Sequence, residues 1–170
     1  MQTKDGTLLM PAMAPGKNSV LLVKLDGEHA THFSRITDVE LKPGEAKKVD
    51  VELRPSMRIE GALSFNVPRP VRNGRIKTET LPPAGAGSDR VSWCTWAPIR
   101  PDGTFVIDGW PAGEAMQLIA LCDGYVATSG KAPDVVANRP DPNERDPFNR
   151  PQVFQPQERA RIVVAMMPMS

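Results

Sequence analysis

The chain predicts an all-β fold, an antiparallel sandwich of short strands, on three observations. Its apolar residues alternate with polar ones in short runs, at a period of two rather than 3.6. Its 18 prolines and 13 glycines stand between those runs as punctuation, which argues against long helices. The sequence also repeats itself, once in full and once in half. Asp5-Gly6-Thr7 returns as Asp102-Gly103-Thr104, and without a gap Gly16 matches Gly113, Leu21 matches Leu118, Asp26-Gly27 matches Asp123-Gly124, and Ala30-Thr31 matches Ala127-Thr128. A second block, Pro43 to Pro55, matches Pro156 to Pro168 after 16 extra residues in the later copy. Two units follow: a partial module over 1–55, corresponding to the C-terminal half of the repeat, and a complete module over 56–170.

In the complete module, Arg58 to Phe65 predicts an opening strand with Ile59, Gly61, Leu63 and Phe65 on one face. Asn73-Gly74 is a tight-turn signal, and Arg75 to Leu81 alternates as a half-exposed strand. Pro82 to Asp89 reads as a loop rich in proline, glycine and alanine, and Val91 to Ile99 as the next strand. Pro101-Asp102-Gly103 turns the chain so that Thr104 to Ile107 returns as its hairpin partner. Pro111-Ala112-Gly113 turns into Met116 to Cys122, Asp123-Gly124 turns again, and Arg161 to Met167 closes the module. That makes seven strands, with three or four in the half copy, where Thr7 to Met10, Ser19 to Leu25 and Lys48 to Leu53 are the equivalents. The insertion at 131–152, crowded with Pro133, Pro140, Pro142, Pro147 and Pro151, is too polar to form a core strand.

At 170 residues the chain is long enough to bury a core. Basic residues number 21 and acidic residues 20, interleaved, so no electrostatic footprint for nucleic acid or an anionic membrane is visible. No apolar run approaches a transmembrane span, and no signal-peptide core follows Met1 to Asp5. Only the later copy has the full stretch before its Asp-Gly-Thr turn, so the chain is expected to open inside a module.

The order of signals over 56–168 resembles the carboxypeptidase regulatory-like family, whose fold is a transthyretin-like (prealbumin-like) Greek-key sandwich. The resemblance rests on Ile59-Glu60-Gly61-Ala62-Leu63, then Arg100 to Ile107, Trp110-Pro111-Ala112-Gly113, Leu118 and Gly124-Tyr125, and a closing alternating strand. Trp110 departs from the smaller apolar residue usual in that family, Ala115 and Met116 stand where a tyrosine is usual, and the Pro-rich insertion is also additional. The resemblance implies a non-catalytic accessory or spacer module of an extracytoplasmic protein, periplasmic, surface-bound or secreted, whose partner is another protein or another module of the same parent.

Candidate contact residues follow from strand parity. Trp93 and Trp96 lie three apart, so they point to opposite faces. The face of Val91, Trp93, Thr95, Ala97 and Ile99 is the more apolar, which places Trp93 inward and Trp96 outward with Ser92 and Cys94. Ile119 and Leu121 alternate outward against an inward row that includes Leu118 and Cys122. Parity thus offers Trp96, Ile119 and Leu121 to a ligand or partner; Trp110 joins them as a second tryptophan for sugar stacking, and Phe148 as part of a docking strip in the Pro-rich stretch. An exposed tryptophan stacks on a sugar ring or anchors a protein partner. The blander reading buries Ile119 and Leu121 against Val20 and Leu22 of the half copy, which predicts an intrachain or dimer seam. A half module also leaves open strand edges, which invite an edge-paired or domain-swapped homo-oligomer.

Other constellations argue less. Cys122 falls inward, where a buried cysteine acts as a small apolar residue, and Cys94 points the opposite way, against a bridge between them. His29-Ala30-Thr31-His32, read as a loop, has two potential metal ligands but no third. Asp141, Asn143, Glu144, Asp146 and Asn149 match no calcium-loop spacing. No G-x-S-x-G elbow, P-loop, H-E-x-x-H or GxGxxG is present, and the lone Tyr125 cannot supply the two tyrosines of a ring-cleaving iron dioxygenase on this kind of sandwich. The expectation is a chain without enzymatic activity, cofactor or metal.

Overall fold

The computed structural model describes residues 2–4, 7–10, 13–81, 90–128, 152–156 and 161–169. Among them the fold is all-β, with no helix and several sheets, antiparallel except for one strand pair. The N-terminal part holds β1 (Gln2–Lys4), β2 (Thr7–Leu9), β3 (Gly16–Val20), β4 (Val23–Asp26), β5 (His29–Phe33), β6 (Thr37–Leu41) and β7 (Arg54–Pro55). They pair as β1-β2, β3-β6 and β4-β5-β7.

The rest is β8 (Met57–Leu63), β9 (Arg75–Thr80), β10 (Cys94–Pro98), β11 (Thr104–Trp110), β12 (Met116–Cys122), β13 (Tyr125–Ala127), β14 (Gln152–Phe154), β15 (Ile162–Val164) and β16 (Met166–Pro168). One sheet runs β10-β9-β12-β13-β16, with β14 also on β12, and the other runs β11-β8-β15. Their inward rows fill one apolar core. Ile59, Leu63, Phe105, Ile107 and Val164 come from the smaller sheet, and Ile76, Met116, Leu118, Ala120 and Cys122 from the larger. Two sheets sharing a single core is the arrangement of a β-sandwich. Gly61 is needed on β8 because a Cβ there would overlap the Phe105 ring.

Strand parity holds where the pleat is regular. Ile59, Gly61 and Leu63 face inward, as do Trp93, Ala97 and Ile99, while Trp96 faces out. Other expectations need correction. Phe65 was expected inward, but β8 ends at Leu63 and the Phe65 side chain is fully exposed. Thr104 to Ile107 is not the hairpin partner of Val91 to Ile99: the two share one bridge, Ile99 with Phe105, and β11 then crosses to pair with β8. The crossing lets Phe105 and Ile107 enter the core from the opposite side.

The closing strand divides at Ala165: β15 pairs in parallel with β8 and β16 antiparallel with β13, so one segment serves both sheets. In the half copy, Ser19 to Leu25 divides into β3 and β4, and Lys48 to Leu53 forms no strand. The count also differs, at seven short strands before residue 56 and nine after it among the described residues. The paired glycines keep positive φ in both copies, Gly16 at 110° with Gly113 at 87° and Gly27 at 59° with Gly124 at 76°. The turns they serve are displaced by one residue, since Gly27-Glu28 joins β4 to β5 whereas Asp123-Gly124 joins β12 to β13.

The two parts meet at a seam. The phenyl ring of Phe33 packs edge-on to Trp93 at 4.8 Å, and Gly109 approaches so close to Ala30 that a Cβ would stand 3.0 Å from its carbonyl oxygen. Arg90 donates to the Ile36 carbonyl and pairs with Asp38 at 3.3 Å, and the Val91 N–H donates to the Ser19 hydroxyl. The Ser56 N–H donates to the Thr31 carbonyl, so the chain leaves β5 along β7 and enters the second sheet system as β8. The described seam therefore runs through Phe33 and Trp93, rather than through Val20 and Leu22 on Ile119 and Leu121.

Candidate functional site

The outer face of the larger sheet follows from its register. β10 lies on β9 with Cys94 opposite Glu79, Trp96 opposite Lys77 and Pro98 opposite Arg75. β9 lies on β12 with Glu79 opposite Gln117, Lys77 opposite Ile119 and Arg75 opposite Leu121. Residues directly opposite share a face. One row is thus Trp96, Lys77 and Ile119, and the next is Pro98, Arg75 and Leu121.

Three of the five residues expected from sequence are brought together here. Trp96 is 60% exposed on β10, and across β9 from it, beyond Lys77 and Arg75, Leu121 is exposed at 37% and Ile119 half-buried. The sheet explains why: Ile76, Thr78 and Thr80 of β9 are buried, so Arg75, Lys77 and Glu79 must be outward and the apolar residues beside them cannot turn in. Lys77 pairs with Glu79 at 3.4 Å, and the Ser92 hydroxyl donates to the other Glu79 oxygen at 2.9 Å. The result is an indole lying beside a strip of paired charges, an apolar plane with hydrogen-bonding groups along one side. Lys77 and Glu79 escaped notice in the sequence, although the alternation of Arg75 to Thr80 carried the signal.

Trp110 is a correction. It is completely buried at the end of β11, opposite Met57, and its indole N–H donates to the Glu114 carbonyl at 3.2 Å. The β-bulge between Ile107 and Trp110, with Gly109 at φ 78°, turns the ring into the core. It therefore takes no part in a contact surface. Phe148 and the acidic residues Asp141 to Asn149 lie outside the described residues.

Both cysteines are free, Cys94 exposed on the outer face and Cys122 buried. Burial pushes the Cys122 thiol above its ordinary pKa, and the neighbouring Asp123 charge adds to the shift. His29 and His32 sit in strand β5 rather than a loop, where a bulge at Thr31 sets them opposite Asp26 and Lys24, on one face of the strand pair. Among the described residues no group of three or more His, Cys, Asp or Glu is placed to hold a metal. No helix there is long and apolar enough to cross a membrane.

No family model, curated protein or solved structure matches the chain.

Proposed function

We propose that the chain is a non-catalytic β-sandwich accessory module that spaces and docks protein units, its outer face binding a protein partner or another module of the same parent. The single observation that supports this reading most is the clustering of Trp96, Ile119 and Leu121 on one outward face. Nothing in the core needs those side chains there. Tryptophan is among the residue types that most often anchor an interface. The order of turns and strands over 56–168 further supports kinship with the carboxypeptidase regulatory-like, transthyretin-like sandwiches, and with it an extracytoplasmic setting.

The test is titration of the purified chain with the neighbouring units of its parent polypeptide, followed by isothermal calorimetry. Trp96→Ala is expected to weaken binding by about tenfold or more, about 1.4 kcal/mol. A saturable hydrolytic or redox activity abolished by a single substitution would overturn the reading. A second reading, carbohydrate binding, is favoured by the same exposed indole with Lys77 and Glu79 alongside, since a sugar ring stacks on such a plane while polar groups take its hydroxyls. A glycan array on which the chain binds and the Trp96→Ala variant does not selects that reading.

A further inference from the structure

Strand β10 has a second surface, its backbone edge. On β9 the Thr80 N–H donates to the Trp93 carbonyl and the Ile99 N–H donates to the Gly74 carbonyl. In an antiparallel ladder these groups alternate, so residues 93, 95, 97 and 99 turn to β9 and Cys94, Trp96 and Pro98 turn away from it. At Arg100 that far edge is taken, because its N–H donates to the Thr104 carbonyl of β11. From Cys94 to Pro98 no described residue takes it.

An open edge is normally guarded by charge, a bulge or proline. Here Val91 to Ile99 carries no charged side chain, and the sole proline, Pro98, lies at the end of the strand. A segment without charge does not repel a copy of itself. We infer that this edge pairs antiparallel with β10 of a second copy of the chain, about a two-fold axis at Thr95, joining the two larger sheets into one. Each copy's Cys94 and Trp96 then exchange N–H···O bonds with the other's Trp96 and Cys94, and the Ser92 N–H donates to the Pro98 carbonyl, the proline having no N–H to return.

Charge selects this register over one that sets Trp96 against Trp96. With Thr95 on the axis, each outward row reads Glu79, Cys94, then Trp96 and Lys77 of the second copy, a carboxylate at one end and an ammonium at the other. The alternative places two lysines at the ends of one row. The pairing concerns backbone on β10 and is independent of what the outer face binds.

Sedimentation of the full chain from micromolar to near-millimolar concentration tests it, together with amide hydrogen exchange at both extremes. The expected result is a mass that doubles with concentration, and Cys94 and Trp96 amides that exchange more slowly in the concentrated sample. Cys94→Lys, which sets like charges beside the axis, is expected to weaken association at least tenfold with the melting curve retained. Leu121→Ser, two strands from the edge, leaves the dimer intact while weakening face docking, which separates the two proposals. A chain monomeric at every concentration overturns the inference. So does a dimer in which the Cys94 and Trp96 amides gain no protection, a result that needs no variant to fold.

Discussion

The two cysteines show how one parity rule assigns opposite chemistry to the same residue type. Cys94 projects from the outward row beside Glu79, and Cys122 sits in the core between two sheets. Thiol-specific labelling of the native chain is expected to modify Cys94 readily and to leave Cys122 protected until the protein unfolds, as peptide mass analysis will show. Because the folded Cys122 titrates above its unfolded value, its contribution to stability is intact below the unfolded thiol pKa and is lost as pH rises through the folded one. Thermal melts of a Cys122→Ala variant should lack that alkaline decline. Asp102 has the opposite sign. The Thr104 hydroxyl and N–H donate to its carboxylate at 2.7 and 2.9 Å and hold it below the ordinary carboxyl range. Its contribution is present above the unfolded pKa and is lost as pH falls through the lowered one.

At the scale of elements, Gln152 fixes the point where the closing segment changes sheets. It is fully buried on β14; its amide nitrogen donates to the Thr128 and Ala165 carbonyls at 2.8 and 2.7 Å, and its oxygen accepts from the Ala165 N–H at 3.3 Å. Ala165 is the residue between β15 and β16; its carbonyl also accepts from the Thr128 N–H, while its own N–H is satisfied by the Gln152 oxygen. Gln152→Ala is expected to cost roughly 2 to 4 kcal/mol, because it orphans buried donors and acceptors, and denaturant melts will measure it.

Which elements were legible in the sequence follows from the same physics. β10 and β12 are regular pleats with one buried face, so alternation alone named their inward rows and placed Trp96, Ile119 and Leu121 on the outside. Phe65 fooled that logic because alternation cannot tell where a strand stops. The division at Ala165 and the crossing of β11 to β8 depend on partners far along the chain, as on Gln152, and leave no local mark. The half copy misled most. Its equivalences were projected from the later module, which turned Lys48 to Leu53 into a strand and hid β5 and β6. Trp110 was misplaced because the strand was expected to end at Ile107, whereas β11 runs on to Trp110 and the bulge at Gly109 turns its ring inward.

For the molecule as a whole, the N-terminal strands act as a buttress rather than a separate bead, since Phe33 meets Trp93 at the border of the main core. Phe33→Ala and Trp93→Ala are each expected to lower stability by about 2 to 4 kcal/mol. In a double-mutant cycle the losses should be coupled by about 0.5 to 1.5 kcal/mol, the worth of an edge-on aromatic pair. Simple additivity would mean that the two rings do not sense each other. Trp96, three residues along the same segment, differs in kind. It is mostly exposed, so its surface is available for recognition.

The claim on which the rest depends is therefore that Trp93 belongs to the fold and Trp96 to a partner. Calorimetric titration of Trp96→Ala against the protein unit that the proposed function assigns to the outer face, paired with a melting curve of the same sample, tests it most directly. The account predicts a melting temperature within a few degrees of the parent chain and affinity reduced about tenfold or more. A variant that melts much earlier, or one that binds as tightly as the parent, would contradict it.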